Sequence, residues 1–436
     1  MNRRIIAVTQ NTFRDYFFTP ALVTLVILLL LIPLWCSNMS GDGTAEGKFK
    51  VFVTYSFFIC SIILTVTNIS LSCSSISGEW KKKTLLLLDV KPIKRWEIIL
   101  GKWSGILVVN IVLIMSFLLS MTVSSILVSR NLQKSFPEYR DIFTTEAELF
   151  PISAVKSVQP KASGSPSPSE TNPAVSPGGK GTYAVPSKDS IQWKFKFIRK
   201  SPEDNLYLSY RFLTSSQGEQ IISGYWLLGN SSLDKTFEAE TMFSQNKIHR
   251  LQIPNEAVSK EGELIVTYLN TEPTNVSVLF PKGEFKMLYP QGNYWENLIR
   301  GAVNILLLVT FICSVGIFFS CIVSNLTAVL ATSALIFISY LHDFVEMMTN
   351  SILTEMQSQQ AVGIIPRLSY PMLKLTVFIF PPLNKALPHS YIGDFLLLPL
   401  SSMAFLFLRI ILLGALPLLI IAMLYLSRRE LGIPNE

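Results

Sequence analysis

The sequence predicts an α-helical membrane protein with six transmembrane helices and amphipathic cytoplasmic helices. An extracytoplasmic β-sandwich-like domain is predicted as an insert between the third and fourth spans. Of the 436 residues, 49% are hydrophobic and only 15% are charged, and the mean hydropathy of +0.40 is too high for an ordinary soluble chain. Six apolar runs are long enough to suggest spans, and one long hydrophilic stretch alternates apolar and polar residues.

The six apolar runs are close to, or longer than, the roughly 20 residues that a helix needs to cross a bilayer. They lie at residues 20–35, 51–76, 103–128, 298–323, 326–347 and 403–426. The first run follows an amphipathic stretch and lacks a clear small-residue cleavage site. We therefore expect it to remain as a span rather than to be removed as a signal peptide.

Lysine and arginine in the short loops predict the orientation, because cytoplasmic loops are enriched in both. With the N-terminus in the cytoplasm, the cytoplasmic segments carry more than twice as many of these residues as the external ones. We expect a multi-pass protein of the cytoplasmic (inner or plasma) membrane with both termini cytoplasmic. A seventh span through residues 373–382 would place Arg428 and Arg429 outside, which the same rule disfavours. The net charge of +7 follows from this topology and does not indicate nucleic-acid binding.

The spans divide the chain into four predicted regions. An N-terminal amphipathic helix, spans 1 to 3 and a cytoplasmic segment (77–103) occupy residues 1–128. The remaining regions are an extracytoplasmic stalk with a disordered linker (129–189), an extracytoplasmic β-domain (190–297), and spans 4 to 6 with short outer helices at 350–402 (298–436).

The hydrophilic insert changes composition along its length. Residues 160–179 are mostly Pro, Ser and Gly, which leave too little apolar surface to offset chain entropy. Beyond residue 190, short alternating runs separated by turn residues predict strands. Aromatic residues in these runs could form the domain core, or a surface that stacks on sugars or faces lipid; they include Trp193, Tyr207, Tyr225, Trp226 and Tyr268. Period-2 placement favours the core for most of them.

Residues 350–402 form neither a full span nor a hydrophilic loop. Their short apolar runs are interrupted by prolines, which favours interfacial or partly re-entrant helices on the outer side. Arg409 follows them in the last span and lies about 27 Å along a helix from Ser427. This distance places Arg409 near the outer interface, where snorkelling is favoured over a role in a substrate path.

No segment of the sequence shows a motif that indicates enzymatic activity. The nearest approach to a phosphate-binding loop, around Lys180, lacks the first glycine and the hydroxyl after the lysine. His342 and Glu346 are one helical turn apart, but a zinc or copper site needs further ligands. The five cysteines lie in or beside apolar runs and indicate no disulfide framework. We predict no catalytic residue, no metal site and no bound cofactor in this chain.

The segment 77–103 is the densest basic cluster in the chain. Pro92 disfavours helix at Lys91 and suits the first turn of a new helix. On that helix one arc is apolar, comprising Ile93, Trp96, Ile99, Leu100 and Trp103; the other arc holds Lys94, Arg95, Glu97, Gly101 and Lys102, with Ile98 alone among them. The polar face could bind a soluble partner, or the whole helix could rest on anionic headgroups.

The N-terminus has a similar pattern. Its apolar residues Ile5, Ile6, Phe13, Tyr16 and Phe17 share one arc of a helix, and charged or polar residues occupy the rest. The pattern predicts a membrane-interface helix that lies on the inner leaflet before the first span.

The stretch from Glu79 to Gly105 resembles the cytoplasmic segment of ATP-binding-cassette (ABC) transporter permeases of the type 2 export family. The residues that match the family pattern, in order, are Glu79, Thr84, Leu85, Pro92, Arg95, Glu97, Gly101 and Lys102. The sequence differs at Lys83, where the family often has Gly, and at Leu86, where an acidic residue is common. The N-terminal "TFRDYFFTP" and the closing "YLSRREL" are also similar to the family, and the resemblance covers all but the insert at 129–297.

The resemblance implies the transmembrane permease subunit of an ABC exporter, in which two six-helix permeases join two ABC ATP-binding subunits. It implies that segment 77–103 contains the coupling helix that contacts the ATPase subunit. The implied contact residues are Glu79, Thr84, Pro92, Arg95, Glu97, Ile98, Gly101 and Lys102. ATP and Mg would be bound by the ATPase partner, and the second permease would be an identical or a different chain. Membrane lipid is the other expected partner.

Two alternatives remain open from the sequence. The chain could be a membrane-anchored extracytoplasmic binding or assembly protein that acts through its β-domain. It could also transmit force to an external partner without moving a substrate, although a long flexible linker transmits force poorly. Six spans and a patterned cytoplasmic helix favour the exporter, whose substrate we expect to be hydrophobic, amphipathic or polymeric because the spans form no charged midplane path.

Overall fold

The computed structural model divides the chain into two compact units. The helical unit comprises Met1–Phe143 and Asn293–Glu436, and the β unit comprises Thr144–Gly292. The structure describes residues 2–41, 45–81, 94–135, 144–157, 182–196, 206–215, 221–229, 237–244, 248–259, 262–271, 276–357 and 364–428. The linker predicted at 160–179 lies outside these described residues.

Ten α-helices of the described residues belong to the helical unit. They are α1 (Asn2–Phe17), α2 (Pro20–Cys36), α3 (Ala45–Lys81), α4 (Arg95–Ser135), α5 (Tyr294–Ile322), α6 (Asn325–Tyr340), α7 (His342–Gln357), α8 (Ile364–Ile379), α9 (His389–Gly393) and α10 (Leu400–Arg428). Helix α10 contains a π-helical segment at Phe407–Ala415.

The helices agree in position with the predicted spans. Among the described residues, α3, α4, α5 and α10 are each long and apolar enough to cross a membrane. The pairs α1 with α2 and α6 with α7 are bent by 73° and 53°, and counting each bent pair as one span raises the number to six. The chain is therefore a multi-pass helical membrane protein with four to six spans.

Local capping explains where α2 and α5 begin. Thr19 precedes Pro20 in extended geometry, and its hydroxyl accepts a hydrogen bond from the Leu22 N–H at 3.4 Å. The Asn293 side chain likewise accepts from the Trp295 N–H at 3.3 Å at the start of α5. Each cap satisfies an N–H that has no partner within its helix. The break at Thr19 separates the amphipathic α1 from the apolar α2.

A reciprocal amide pair joins α3 to α4 in the interior. Asn68 Nδ2 donates to Asn110 Oδ1 at 2.7 Å, and Asn110 Nδ2 donates to Asn68 Oδ1 at 2.6 Å. Each amide also donates to a carbonyl one turn earlier, at Leu64 and Ile106. Both side chains are fully buried. The pair therefore places polar groups in an apolar interior with their hydrogen-bonding capacity used.

The segment before α10 is held to α5 by polar contacts. Asn297 donates to the Leu396 carbonyl at 2.8 Å and accepts from the Leu398 N–H at 2.9 Å, so one side chain serves two backbone groups. Arg300 donates to the Leu398 carbonyl at 2.6 Å. Non-helical backbone buried in a membrane protein needs such partners, and α5 supplies them.

The β unit contains twelve strands among its described residues. They are β1 (Thr144–Leu149), β2 (Ser153–Ser157), β3 (Thr182–Val185), β4 (Ser190–Lys196), β5 (Leu206–Arg211), β6 (Leu213–Thr214), β7 (Ile221–Gly229), β8 (Phe237–Ser244), β9 (Ile248–Ile253), β10 (Glu263–Asn270), β11 (Val278–Pro281) and β12 (Lys286–Asn293). They form three sheets with orders β1-β12-β5-β9, β2-β4-β10-β7-β8 and β3-β11-β6. Central pairs such as β4 with β10 and β10 with β7 are antiparallel.

The β unit begins earlier than residue 190. Strands β1, β2 and β3 lie within the region predicted as stalk and linker. The sequences "TTEAEL" and "SAVKS" carry little apolar alternation, so they give no strand signal of their own. Strand β2 is nevertheless ordered by antiparallel pairing with β4, in which Ala154 lies opposite Trp193. Pairing with a distant partner has formed a strand that local composition does not indicate.

Aromatic packing fills the core of the β unit. Trp193 stacks on Phe285 with ring centroids 4.0 Å apart, and Trp226 packs at 4.7 Å from Tyr268. Trp193, Trp226 and Tyr268 are buried, which makes core packing the correct interpretation for these three. Tyr207 and Tyr225 are half-buried on the opposite faces of their strands. The alternation of β10, whose even-numbered residues are buried, shows the same period of two.

The Asn68 and Asn110 pair predicts a non-additive mutational effect. Asn68→Leu leaves the Asn110 amide buried with one partner lost, and should destabilise the protein by about 1–2 kcal/mol. The double variant Asn68→Leu with Asn110→Leu removes both polar groups and should recover most of the loss. Thermal unfolding of the detergent-solubilised protein checks both values. A double variant as unstable as the sum of the two single variants would contradict this account.

Candidate functional site

The two ends of the predicted coupling segment are joined by a buried ion pair. Lys102 Nζ on α4 lies 2.6 Å from Glu79 Oε1 at the end of α3 and donates to the Ser75 carbonyl at 2.6 Å. The Lys102 side chain is 4% exposed and that of Glu79 is 28% exposed. The ammonium group is therefore removed from water and compensated by one carboxylate and one carbonyl. This contact holds the end of α3 close to the beginning of α4.

Two further predicted residues organise the start of α4. Glu97 Oε2 accepts from the Lys94 backbone N–H at 2.9 Å, which satisfies the N–H of the residue that precedes the helix. Arg95 donates to the Leu426 carbonyl at 3.2 Å, near the C-terminal end of α10. A cation there compensates the free carbonyls of the helix end. Arg95 thus ties the first turn of α4 to the last turn of α10.

The sequence places Ile98 on the polar face of this helix, among the residues implied to contact the ATPase subunit, and the structure buries it. Ile98 is only 2% exposed, and Glu97, Gly101 and Lys102 are buried beside it. Helices α1 and α10 both pack against α4, so the face that looks polar in sequence is covered by other helices. A helical wheel shows which residues share a face of one helix, but it does not show which of those faces other helices cover. Thr84 and Pro92 lie outside the described residues.

Helix α1 crosses α4 at two glycines. A Cβ on Gly101 would lie 2.5 Å from Val8 Cβ, and a Cβ on Gly105 would lie 2.7 Å from Thr12 Cβ. Between these contacts, the hydroxyls of Thr9 and Ser104 are 2.6 Å apart. The two glycines form a G-x-x-x-G pattern, "GKWSG", which permits close approach of helix backbones. This pattern was available in the sequence and identifies the contact that the helical wheel missed.

The predicted interface residues of α1 have mixed environments. Ile5, Phe13, Tyr16 and Phe17 are half-buried, whereas Ile6 is exposed. Phe13 and Phe17 stack with centroids 4.8 Å apart, and the Tyr16 hydroxyl donates to the Leu71 carbonyl at 3.4 Å. The most buried residues of the helix are Val8 and Thr12, which face α4. One side of α1 is therefore used for packing within the protein.

A serine hydroxyl on α5 binds two backbone groups of α3 just before Glu79. Ser320 Oγ donates to the Cys73 carbonyl at 2.7 Å and accepts from the Ser77 N–H at 2.9 Å. These two backbone groups lie one helical turn apart on α3. One turn earlier, Gly316 leaves room for Ser72, whose side chain would collide with any Cβ there. Helices α3 and α5 therefore approach closely, through polar groups, near the point where α3 ends and the coupling segment begins.

The one-turn pair His342 and Glu346 belongs to an ion-pair cluster. Ligand atoms of His342, Asp343 and Glu346 lie within 4.8 Å of one another, which is close enough to hold a metal ion. Lys385 Nζ, however, lies 3.3 Å from Asp343 and 3.6 Å from Glu346, and the Asn384 amide donates to Asp343. The ammonium group already compensates both carboxylates. The arrangement is explained by packing between α7 and the segment after α8.

Comparison with known proteins bears on the region that contains these contacts. Residues 6–138 match the family model described as ABC-2 family transporter protein. The resemblance to ABC-2 permeases is confirmed. The matched ABC-2 region includes the coupling segment and all of α2, α3 and α4, while the β unit and α5 to α10 lie outside it. No curated protein matches the chain.

The ABC-2 match covers less than half of the chain and supports a permease in general terms. ABC-2 permeases are membrane subunits of transporters rather than enzymes, and they normally work with an ATP-binding subunit. Of the residues that the sequence picked out in segment 77–103, the described ones lie near the end of α3 and the start of α4. There Glu79 contacts Lys102, Arg95 reaches α10, and Gly101 packs against α1.

The α1–α4 contact predicts that Gly101→Ala is destabilising. The added methyl group would overlap Val8, and the overpacking should cost about 1–3 kcal/mol. Gly78→Ala is the matched control, because a Cβ there meets only Ser74 Cβ at 3.9 Å. We expect the control to unfold at the parent temperature or slightly above it in detergent, since alanine favours helix. Equal effects of the two substitutions would contradict the close contact.

The ion pair predicts unequal effects for its two partners. Glu79→Gln leaves the buried ammonium of Lys102 without a counter-charge and should cost up to about 3 kcal/mol. Lys102→Met removes the buried ammonium itself and leaves a partly exposed carboxylate, so it should cost less. Thermal unfolding of both variants in the same detergent checks the order. A larger loss for Lys102→Met would show that the lysine stem, not the charge, holds the contact.

Proposed function

We propose that this chain is the transmembrane permease subunit of an ATP-driven ABC exporter. A separate ATPase subunit would bind ATP and Mg and hydrolyse ATP, and this chain would couple hydrolysis to export of a substrate across the cytoplasmic membrane. The observation that carries the proposal is the ABC-2 family match at residues 6–138, which contains the whole segment 77–103. The apolar spans of the helical unit are consistent with it.

The contacts at the ends of the coupling segment support a transmitting role. Residues 82–93 connect the end of α3 to the start of α4, and a force on this connection would reach both helices. From α3 it would reach α5 through Ser320 and Ser72. From α4 it would reach α1 through Gly101 and Gly105, and α10 through Arg95. Motion of an ATPase would then be delivered to several spans at once.

The burial of Glu97, Ile98, Gly101 and Lys102 refines the proposed contact. These residues hold α4 in place, so the surface for the ATPase would be formed by the segment that precedes them, in the basic run at 81–83 and the region of Thr84 and Pro92. In the proposed topology both termini and this segment are cytoplasmic, and the β unit is extracytoplasmic. A second permease, identical or different, would complete the transporter.

A second candidate function rests on the β unit. This unit is compact and has its own aromatic core, so it could bind or assemble an external partner while the spans serve as an anchor. The exporter is favoured because a simple anchor would explain neither the ABC-2 family match nor the close contacts at both ends of the coupling segment.

Affinity purification in mild detergent tests the exporter. We expect an ATP-binding subunit, identified by mass spectrometry, to co-purify with the tagged chain. The double variant Lys82→Glu with Lys83→Glu should lower its recovery roughly tenfold, a loss of about 1.4 kcal/mol in binding. Gly78→Ala is the matched control and should retain it. Ile98→Asp is unsuitable, because a buried carboxylate would test folding rather than docking.

The outcome is interpreted only when each variant elutes as a single folded species on size exclusion. A folded parent chain that never retains an ATP-binding subunit would overturn the proposal and favour the β unit as the functional part. Retention in the charge-reversed variant would place the docking surface elsewhere on the helical unit.

A further inference from the structure

Helix α10 changes its hydrogen-bond pairing near its centre. In the π-helical segment Phe407–Ala415 an N–H pairs with the carbonyl five residues earlier, and the Leu416 N–H likewise binds the Ile411 carbonyl. The flanking parts, Leu400–Leu406 and Leu416–Arg428, are α-helical, with pairing over four residues. The π segment therefore contains about one residue more than an α-helix would need to connect these two parts.

The buried residues of α10 show where the extra residue lies. They are Leu406, Ile410, Ala415, Leu419, Ala422 and Leu426. Successive members are three or four positions apart, except that Ile410 and Ala415 are five apart. At 100° per residue, a uniform α-helix would place the two sets on opposite sides, about 170° apart. The wide turn between Ile410 and Ala415 brings both sets onto the side that packs on buried residues of α5.

Proline alone does not account for the π segment. Pro417 follows the segment, and a proline ring collides with the carbonyl four residues earlier in an α-helix. Pro33 in α2 and Pro371 in α8, however, both lie inside helices that remain α-helical around them. Pro417 instead marks the inner limit of the wide turn, because a missing N–H costs least in the first turn of the α-helical part that follows.

The sequence of the segment contains two pairs of identical neighbours. They are Ile410 with Ile411 and Leu412 with Leu413, in "RIILLGA". If the extra residue moved outward along α10, each residue that it passed would take the place of the residue before it, a shift of about 100° and 1.5 Å. Ile411 would then fill the buried place of Ile410, and Leu413 the place of Leu412. Both registers therefore bury nearly the same side chains, and neither leaves a cavity.

Arg409 is the residue for which the two registers differ most. In the present register it donates to the Val377 carbonyl of α8 at 2.7 Å. In the shifted register Ile410 would take this place, and Arg409 would lie where the 48% exposed Leu408 is now. The Val377 carbonyl would keep His342 Nε2, 3.3 Å away, as a partner. The contact of Arg409 with α8 thus determines which register is more stable.

We propose that the π segment is a register switch in the last span, held in the present register by the contact between Arg409 and Val377. In the second register the wide turn lies closer to Leu400, Arg409 is released from α8, and the part of α10 beyond Ala415 keeps its packing. The inner end of α10 is tied to α4, because Arg95 donates to the Leu426 carbonyl.

The role of the switch in transport rests on the proposed function. There, a displacement of the coupling segment would reach the inner end of α10 through Arg95. Passage of the extra residue along α10 would take up this displacement without tilting the whole helix. Release of Arg409 would then free α8 from the last span, so the docking of α8 would depend on the state of the cytoplasmic side.

Fluorine NMR of the full chain in detergent tests the switch. Leu412→Cys, labelled with a trifluoroethylthio group, would pass from its present exposed place to the half-buried place of Ile411. Leu424→Cys, 55% exposed in the inner part of α10, is the matched control. The native cysteines are all buried, which favours labelling at the introduced site. We expect two resonances, or relaxation dispersion of one, at position 412, and a single resonance without dispersion at position 424.

Two neighbouring alanine substitutions should have opposite effects on the label at position 412. Ile410→Ala leaves a cavity in the present register and should raise the ratio of the second to the present register roughly tenfold. Ile411→Ala leaves the larger cavity in the second register and should lower this ratio by a similar factor. Arg409→Leu should raise it roughly tenfold, because a charged hydrogen bond of the present register is lost.

Deletion of Leu413 removes the extra residue and should give a single resonance at position 412. Each variant is scored only when it elutes as a single folded species on size exclusion, and the two alanine variants decide the result if the deletion does not fold. A single resonance without dispersion in the parent, Ile410→Ala and Arg409→Leu would overturn the proposal. So would exchange that persists after the deletion, or a change in the same direction for Ile410→Ala and Ile411→Ala.

This measurement is separable from the test of the proposed function. The spectra need no ATPase partner, so failure to recover an ATP-binding subunit leaves the register switch unaffected. Conversely, a last span with a single register would leave the co-purification of an ATP-binding subunit unchanged.

Discussion

The helical unit depends on one physical constraint, which is that polar groups in an apolar layer must find partners within the chain. Water is absent there, and an unpaired amide or hydroxyl costs several times the net worth of a hydrogen bond. Asn68 and Asn110 meet this constraint by pairing with each other and with their own helices. Ser320, Asn297 and Arg409 meet it by binding backbone groups of other segments. Each solution also fixes the position of one helix against another.

The same constraint connects the fold to the proposed function. Charged and small residues are concentrated where α3 ends and α4 begins, and they join three other helices of the unit there or nearby. Glycines allow α1 to approach α4, Arg95 reaches α10, and serines bring α5 against α3. We expect a region built in this way to move as one body, because its contacts are close and specific rather than loosely apolar. That property suits the coupling role proposed for this region.

Long apolar runs made the spans predictable, since about 20 such residues admit few other structures. The described helices follow the six predicted runs; the first run lies on α2, which forms a bent pair with α1, and the fifth extends across the bent pair α6 and α7. Prediction was weaker where structure depends on distant partners. Strand β2 is paired with β4, and Ile98 is buried on a helix that α1, α3, α5 and α10 all contact. A sequence pattern reports the periodicity of one segment and contains no information about its neighbours, except where a motif such as G-x-x-x-G implies one.

The hydroxyl of Ser320 ties the end of α3 to α5 through two backbone groups at once. It donates to the Cys73 carbonyl and accepts from the Ser77 N–H, and these two groups lie one helical turn apart on α3. Because a single side chain contacts both positions, sliding α3 along α5 or rotating it about its own axis would break both hydrogen bonds. A displacement of the end of α3 would therefore carry α5 with it instead of being lost between the two helices.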